Sequence, residues 1–283
     1  MKSKGRSAFI FLFLIIPLIH LIIFSYVPII GNFVLSFTNW KGFGDIVFIG
    51  WRNYQRMFTN TEYISMFKNC GWYFLVAIPQ LVFALLLAVV INGKFRGLNI
   101  FKGILIIPYL LNGVIISTIF IIFFNNTGSL NTILEWLHLD YLKHQWLQDL
   151  KLVNPAIASI SIWRYYGMNF IMFLGALQSI PTDIYEAATL DGCNKWQEII
   201  YISIPAIKKV LFINILLSVS GSIQVFEIPY IMMNGSNGTG TPVIMIQQSM
   251  STNRVGFAAA LSVMVFIIVL IVVGIQKLFV KED

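Results

Sequence analysis

Polar residues recur at helical spacing inside runs that are otherwise apolar. Tyr109, Asn112 and Gly113 form one such group, Ser161, Arg164, Tyr165 and Met168 a second, and Ser218 and Ser222 a third. Residues three, four or seven apart share one side of a helix, so each group marks a face. Ser220, Gln224 and Glu227 make a further polar face, on the opposite side of a regular helix from Ser218 and Ser222. Both can line one path only if the helix distorts near Gly221 or Pro229. Arg164 and Glu227 are the expensive members, since a charge at the centre of a membrane helix costs about 2.5–3.5 kcal/mol on insertion scales. Aromatic rings stack on sugar faces, and amides and hydroxyls exchange hydrogen bonds with sugar hydroxyls, so this mixture suits a weak, releasing carbohydrate site. The same residues could instead do no more than satisfy one another between packed helices.

Other chemistries have little support. The run "NGSNGTGTP" spaces Gly235 and Gly240 as in G-x-x-x-x-G, but Thr241 and Pro242 stand where a phosphate-binding loop needs Lys and Ser or Thr. It reads as a flexible external turn. His20, His138 and His144 are far apart, no His, Cys, Asp and Glu cluster has metal-ligand spacing, and His20 reads as a polar residue satisfied inside a helix bundle. No nucleophile and base stand in a recognisable arrangement, which disfavours a membrane enzyme.

The elements that must position these faces are membrane helices. Of the 283 residues 58% are hydrophobic and 11% charged, against about 45–50% and ~25% in soluble domains. Runs long enough to cross a bilayer lie at about residues 9–37, 70–91, 103–124, 155–178, 210–232 and 255–275. The first is too long for a signal peptide and lacks an A-x-A-like cleavage site. An all-α integral membrane fold of six spans in one domain, residues 1–283, is expected. Eleven basic residues, including Lys2, Lys4, Arg6, Lys94, Arg96, Lys102, Lys195 and Lys281, fall on one side of the six spans and seven on the other. Basic residues are retained on the inner side, so both termini are expected in the cytoplasm. The net charge of +7 is spread along loops without the stripe a nucleic acid needs. Cys70 and Cys193 fall on opposite sides and cannot pair.

Between the fourth and fifth spans lies "EAATLDGCNKWQEIIYISIP" (Glu186–Pro205), a polar insert where a few residues would suffice. Pro181 stops the preceding helix, and Asp183 with Glu186 reads as a capping box opening a new one. Gly192 closes that helix, Asn194 with Gln197 opens another, and Pro205 ends it. Ile184, Ala187, Ala188 and Leu190 offer a small apolar face ringed by Glu186, Asp191 and Lys195.

The insert resembles the signature loop of ABC-importer permeases: Glu186-Ala187-Ala188, then Gly192, then Ile202-Ser203-Ile204-Pro205, with Ile204 in place of Leu as the one departure. The likeness extends to "FIGWRNYQRMF" (Phe48–Phe58), "ILIIPYLLNGVI" (Ile104–Ile115) and "GFAAALSV" (Gly256–Val263), and is strongest to the first permease subunit of the carbohydrate-uptake family that includes the maltose, lactose and glycerol-phosphate importers. It implies a type I importer permease of the bacterial cytoplasmic membrane that takes up a di- or oligosaccharide by alternating access. Residues 182–205 would be a coupling loop, with Glu186, Ala187, Ala188, Asp191 and Gly192 seated in a groove of a cytoplasmic ATPase dimer. ATP and Mg would be bound by that partner and not by this chain. A second permease and an extracytoplasmic solute-binding protein complete the implied assembly. The resemblance also favours Ser218 and Ser222 in the sugar pathway, because matching positions contact sugar in the maltose importer, along with Tyr109, Gly113, Ser161, Arg164 and Tyr165. It leaves Glu227 as either a partner for Arg164 or a contact to the other permease. The rival reading is a secondary carrier or channel driven by an ion gradient, which would need a relay of ionisable groups for which only Arg164 and Glu227 qualify.

Overall fold

The computed structural model describes residues 2–92 and 97–279, and is helical throughout its long elements. Lys94, Arg96 and Lys281, counted above for orientation, lie outside the described residues. Among the described residues four helices are long and apolar enough to cross a membrane: Phe11–Leu35, Thr61–Ile91, Lys208–Met233 and Val255–Leu278. The first runs as α1 (Lys2–Leu21), a π-helical turn at Ile22–Tyr26 and α2 (Val27–Leu35).

The expected third span is not one helix. It begins at Leu98, and α5 (Leu98–Leu110) meets α6 (Gly113–Phe123) at 89°. Pro108 inside α5 cannot donate to the preceding turn, Leu111 is extended, and the Asn112 side chain caps the new helix by accepting from the Val114 amide at 2.7 Å. The expected fourth span is α8 (Val153–Gln178), 26 residues and so about 39 Å long. Its polar residues leave it less apolar than the four above. It compensates by burial: Val153, Ile157, Ile160, Phe170, Phe173, Leu174 and Leu177 are almost fully enclosed.

Contacts group the chain into two compact units, residues 1–63 with 245–267 and residues 64–244 with 268–283. In the first, α3 (Arg52–Thr59) folds back on the end of α2. Asn53 donates to the carbonyls of Ser36 and Thr38 at 2.8 and 2.9 Å, and the Tyr54 hydroxyl donates to Ser36 Oγ at 2.7 Å. Phe37 sits among Phe48, Trp51 and Tyr54. At the start of α15 (Val255–Phe279), Gly256 donates to the Trp40 carbonyl, and a Cβ there would strike the Thr38 carbonyl. The segment "WRNYQRMF" and Gly256 therefore shape one joint. His20 is not enclosed in a bundle as expected: it is exposed on α1, its ring 4.5 Å from that of Phe24.

In the second unit, α5 and α8 form the most extensive helix pair. They approach so closely that a Cβ on Gly167 would overlap the Leu105 carbonyl. Phe170, Phe173, Leu174 and Leu177 of α8 pack with Ala84 and Ala88 of α4 (Thr61–Ile91) and with Ile207. A second cluster joins Tyr73, Ile116, Phe124, Ile157 and Ile160 to Ile228 and Met232. Outside the spans, α7 (Ser129–Trp136) is held by Asn131, which accepts from the Trp146 ring at 2.8 Å and donates to the carbonyls of Asn126 and His144. Lys143 bridges Glu135 and Asp140 there, which holds the Asp140 carboxyl below and the Lys143 ammonium above their ordinary pKa values.

The glycine-rich turn is anchored rather than flexible. Asn69 donates to the carbonyls of Gly238 and Gly240 at 2.6 and 2.7 Å, Asn154 donates to Gly238, and Asn237 reaches the Leu147 carbonyl. Left-handed backbone at Asn234, Gly235, Asn237 and Gly238 turns its carbonyls toward these donors. Cys70 and Cys193 are both free, and Cys70 is buried, its thiol directed at the Met66 carbonyl.

Candidate functional site

The expected path faces converge on a cavity of about 600 Å3 within the second unit. Arg164 and its neighbours on α8, namely Ser161, Tyr165 and Met168, supply one wall, and Tyr109 near the end of α5 contributes from beside them. Tyr109 and Tyr165 meet edge to face at 6.0 Å.

The opposite wall comes from α12 (Lys208–Ile223), where Ser218, Ser220 and Ser222 all line the cavity together with Gln224. Both polar faces reach one space, although Ser218, Ser220 and Ser222 all precede the break and lie in the regular part of α12, so the expected distortion is not what brings these three together. A break does lie between the two expected points: helical pairing lapses after Ile223, Phe226 takes φ −143°, and α13 (Glu227–Met233) resumes within the same span. Thr241 Oγ1 donates to the carbonyl of Val225 inside this break at 2.8 Å. Ser222 is buried with its hydroxyl turned back to the Val219 carbonyl, whereas Ser220 Oγ is buried without a hydrogen-bond partner among the described residues.

Glu227 and Arg164 are bonded at 2.9 Å, the first of the two alternatives left by the sequence. The other oxygen of Glu227 accepts from the Gly113 amide at 3.2 Å. That amide is the first of α6, so the carboxylate sits at the positive end of a helix as well as beside a guanidinium. Gly113 is required for this approach, because a Cβ would occupy the space of the Glu227 carboxyl group. The Arg164 guanidinium also lies 5.6 Å from the centre of the Tyr165 ring.

Two expected path residues are not in the cavity lining, Gly113, which is buried against Glu227, and Asn112. Asn112 is exposed and its side chain is used as the cap of α6, so it stands beside the Gly113 contact and outside the cavity lining. Conversely, α4 contributes residues not singled out from the sequence: Tyr73, Ala77 and the buried Gln80. Their spacing of four and three residues was a signal, masked because one glutamine in a long apolar run seldom attracts notice. Asn169 and Met172 extend the α8 face.

The polar insert forms two helices joined at Gly192. The first, α9 (Thr182–Leu190), starts with Pro181 at the N-cap and has no side-chain cap, so the expected Asp183 and Glu186 box is absent. Proline already sets the entry angle two positions earlier, leaving Asp183 in the first turn, where its charge suits the helix dipole. Gly192 adopts φ +78° and the Cys193 amide returns to the Ala188 carbonyl, closing α9 as expected. The Asn194 and Gln197 box is present at the start of α10 (Lys195–Glu198), with bonds of 3.0 and 2.8 Å. A π-helical turn at Ile199–Ser203 and the short α11 (Ile204–Ala206) lead into α12, and Tyr185 meets Ser203 across the insert at 3.2 Å. Glu186, Ala187, Asp191 and Gly192 are exposed and Ala188 is half-buried. Ile184 and Leu190 are exposed as well, giving a structured projection with an apolar surface that none of the described residues covers.

Residues 72–282 match the family of binding-protein-dependent transport system inner membrane components. The chain is 30% identical over 279 residues to the probable ABC transporter permease protein YurN of Bacillus subtilis, covering 96% of this chain and 95% of that protein. It is also 30% identical over 275 residues to the arabinooligosaccharides transport system permease protein AraP of the same organism, covering 95% and 87%. In architecture it matches, with a TM-score of 0.80, 25% identity and 99% of each chain covered, a subunit in the crystal structure of a bacterial ABC transporter involved in the import of the acidic polysaccharide alginate.

Proposed function

Since this chain belongs to the family of binding-protein-dependent transport system inner membrane components, we propose that it is the permease subunit through which an ABC importer passes an oligosaccharide. The observation that carries the reading is the cavity of about 600 Å3, which brings three tyrosine rings, serine hydroxyls, amides and one ion pair onto a common space. Its size falls within the ~300–1,000 Å3 typical of small-molecule sites. Few of these contacts are strong, as suits a site that must release its solute. The arabino-oligosaccharide cargo named for a relative 30% identical to this chain agrees with that chemistry.

The rest of the machine follows from the same reading. A second permease closes the open side of the cavity, and a solute-binding protein delivers cargo to the loops opposite the insert. The basic-residue bias puts both termini and the insert in the cytoplasm. There α9, with Glu186, Ala187 and Ala188 forward and Gly192 turning the chain, seats in an ATPase that binds ATP and Mg. Closure of the ATPase pair moves the insert, α12 is its direct continuation, and the wall bearing Ser218, Ser220 and Ser222 moves with it. An ion-driven carrier is less well served, because Arg164 and Glu227 neutralise each other instead of forming a series of titrating sites.

Uptake by the assembled importer tests the reading. With a radiolabelled panel of di- to pentasaccharides, Tyr165→Ala and Ser218→Val should lower uptake at least about tenfold while the exposed Leu270→Ala control does not, a loss equivalent to about 1.4 kcal/mol. Unchanged uptake in both cavity variants, with normal assembly, would place the path elsewhere.

A further inference from the structure

Resting on the oligosaccharide reading above, we infer that Glu227 sets the charge class of the cargo, making the cavity a site for uncharged oligosaccharides that turns acidic ones away. Among the residues lining the cavity, Arg164 and Glu227 alone carry formal charge, and they are joined at 2.9 Å. The cavity wall is therefore neutral overall, but the two charges are not presented equally. The Arg164 side chain is 14% exposed and that of Glu227 is 45% exposed. The guanidinium has Tyr165 beside it and Glu227 in front of it, so the solute meets the carboxylate first.

The carboxylate is also held in place. One oxygen accepts from Arg164 and the other from the Gly113 amide, and the space that Gly113 leaves is filled by the carboxyl group itself. Each oxygen keeps lone-pair capacity for a further donor. A sugar hydroxyl can supply one. The anionic group of a uronate, aldonate or phosphate ester is acceptor-only and cannot, and it brings a second negative charge into a partly enclosed space where repulsion is poorly screened. At a separation of one hydrogen-bonded residue that repulsion is worth about tenfold in occupancy or more.

The experiment compares neutral and acidic forms of the same sugars. The importer, assembled with its partner subunits in nanodiscs, is driven by its binding protein saturated with each probe, so that the binding protein's own preference cancels. The probes are di- to pentasaccharides of arabinose and glucose and the aldonic acids made by oxidising their reducing ends. Stimulated ATP hydrolysis and probe transported are both read. The wild type should handle the neutral form at least about tenfold better than its aldonate. Glu227→Gln keeps the size of the side chain and an oxygen for Gly113 but strips the partner from Arg164, and should reduce that ratio about tenfold. Glu227→Gln combined with Arg164→Gln should lose this gain for the aldonate, a reversal that a merely structural role for the pair would not produce. A wild type that moves aldonates as well as neutral sugars, or a ratio unchanged in Glu227→Gln, overturns the inference and leaves the oligosaccharide reading standing. Failure of every sugar, neutral or acidic, in the wild type removes that reading and the inference with it.

Discussion

Three glycine-to-alanine substitutions separate the packing of this bundle from its chemistry. At Gly167 the added carbon would overlap the backbone carbonyl of Leu105, part of a helix that cannot swing aside as a side chain can. Carbon and oxygen need more than 3 Å between centres, so α5 and α8 would have to part by more than about 1 Å along the closest crossing in the unit. Overpacking of this kind costs about 1–3 kcal/mol, and the Phe101 to Phe170 contact and the Tyr109 to Tyr165 contact lie across the same pair of helices. At Gly113 the obstacle is a side chain. Glu227 can yield, but it then loses the Gly113 amide, a charge-assisted hydrogen bond worth about 1.5–3 kcal/mol, less what solvent returns to its exposed side. At Gly221 nothing lies within 4 Å, and alanine in a helix is favoured over glycine by up to about 1 kcal/mol. Thermal melting of the assembled importer, followed by tryptophan fluorescence and size exclusion, should therefore rank Gly221→Ala at or above wild type and Gly167→Ala well below it. Gly113→Ala should melt between them and lose transport out of proportion to its stability. A Gly167→Ala variant that melts with the wild type would refute the packing argument, since no movable group is available to absorb the added carbon.

Four further outcomes are expected. Glu186→Lys, which reverses an exposed charge on α9, should lower transport-coupled ATP hydrolysis several-fold with the membrane helices intact, and normal coupling would remove the docking role. Gly192→Leu puts a side chain at φ +78°, at a cost of about 1–2 kcal/mol, and should weaken ATPase association in a pull-down; equal recovery of the ATPase would show that the turn can be replaced. The buried Cys70 is a poor topology probe, so Leu150→Cys, at an exposed loop position, should react with an impermeant maleimide in intact cells while Cys193 reacts only after permeabilisation, and the reverse pattern would invert the orientation. Asn69→Ala removes two hydrogen bonds, each worth about 0.5–1.5 kcal/mol, from the turn at residues 238–240, and should speed its cleavage by added protease; an unchanged rate would mean that the Asn154 and Asn237 contacts suffice to hold the turn.

The sequence was most informative where a residue type has one physical use. Gly192 needed a left-handed backbone and the Asn194 and Gln197 spacing needed a helix start, and both are present; the pairing of Arg164 with Glu227, one of two alternatives left for the glutamate, is present too. It was misleading where two residues competed for one role. Asp183 and Glu186 have the right spacing for a cap, but Pro181 takes the position first. Asn112 looked like part of the path because it shares a face with Tyr109 in a continuous helix, and the 89° bend that removes it from that face is one that Asn112 itself helps to cap. Hydropathy treats residues 103–124 as one run because a bend changes no composition. It also underrates α8, which is polar because it is enclosed by other helices and not by lipid. The role of Gly167 was invisible for a different reason: only the position of Leu105 explains it, and that is a fact about another helix.

The two helix breaks, of which the first is also a bend, explain why the Arg164 and Glu227 pair sits where it does. Breaking a helix frees amides and carbonyls that a hydrocarbon environment cannot satisfy, so a break survives only where protein groups cover it. At the first break Asn112 Oδ1 takes the Val114 amide and Glu227 takes that of Gly113. At the second, Thr241 reaches the Val225 carbonyl. Glu227 thus begins α13 just after one break while satisfying the start of α6 just after the other, and Arg164 on the unbroken α8 balances its charge. The two restarted helices pack against each other, and their first residues meet at this carboxylate. Of the side chains that satisfy the breaks, Glu227 lines the cavity, while Asn112 and Thr241 stand outside its lining. A path for a hydroxyl-rich solute through an apolar bundle needs polar groups on its walls, and at Glu227 the broken backbone supplies a reason for one to be there.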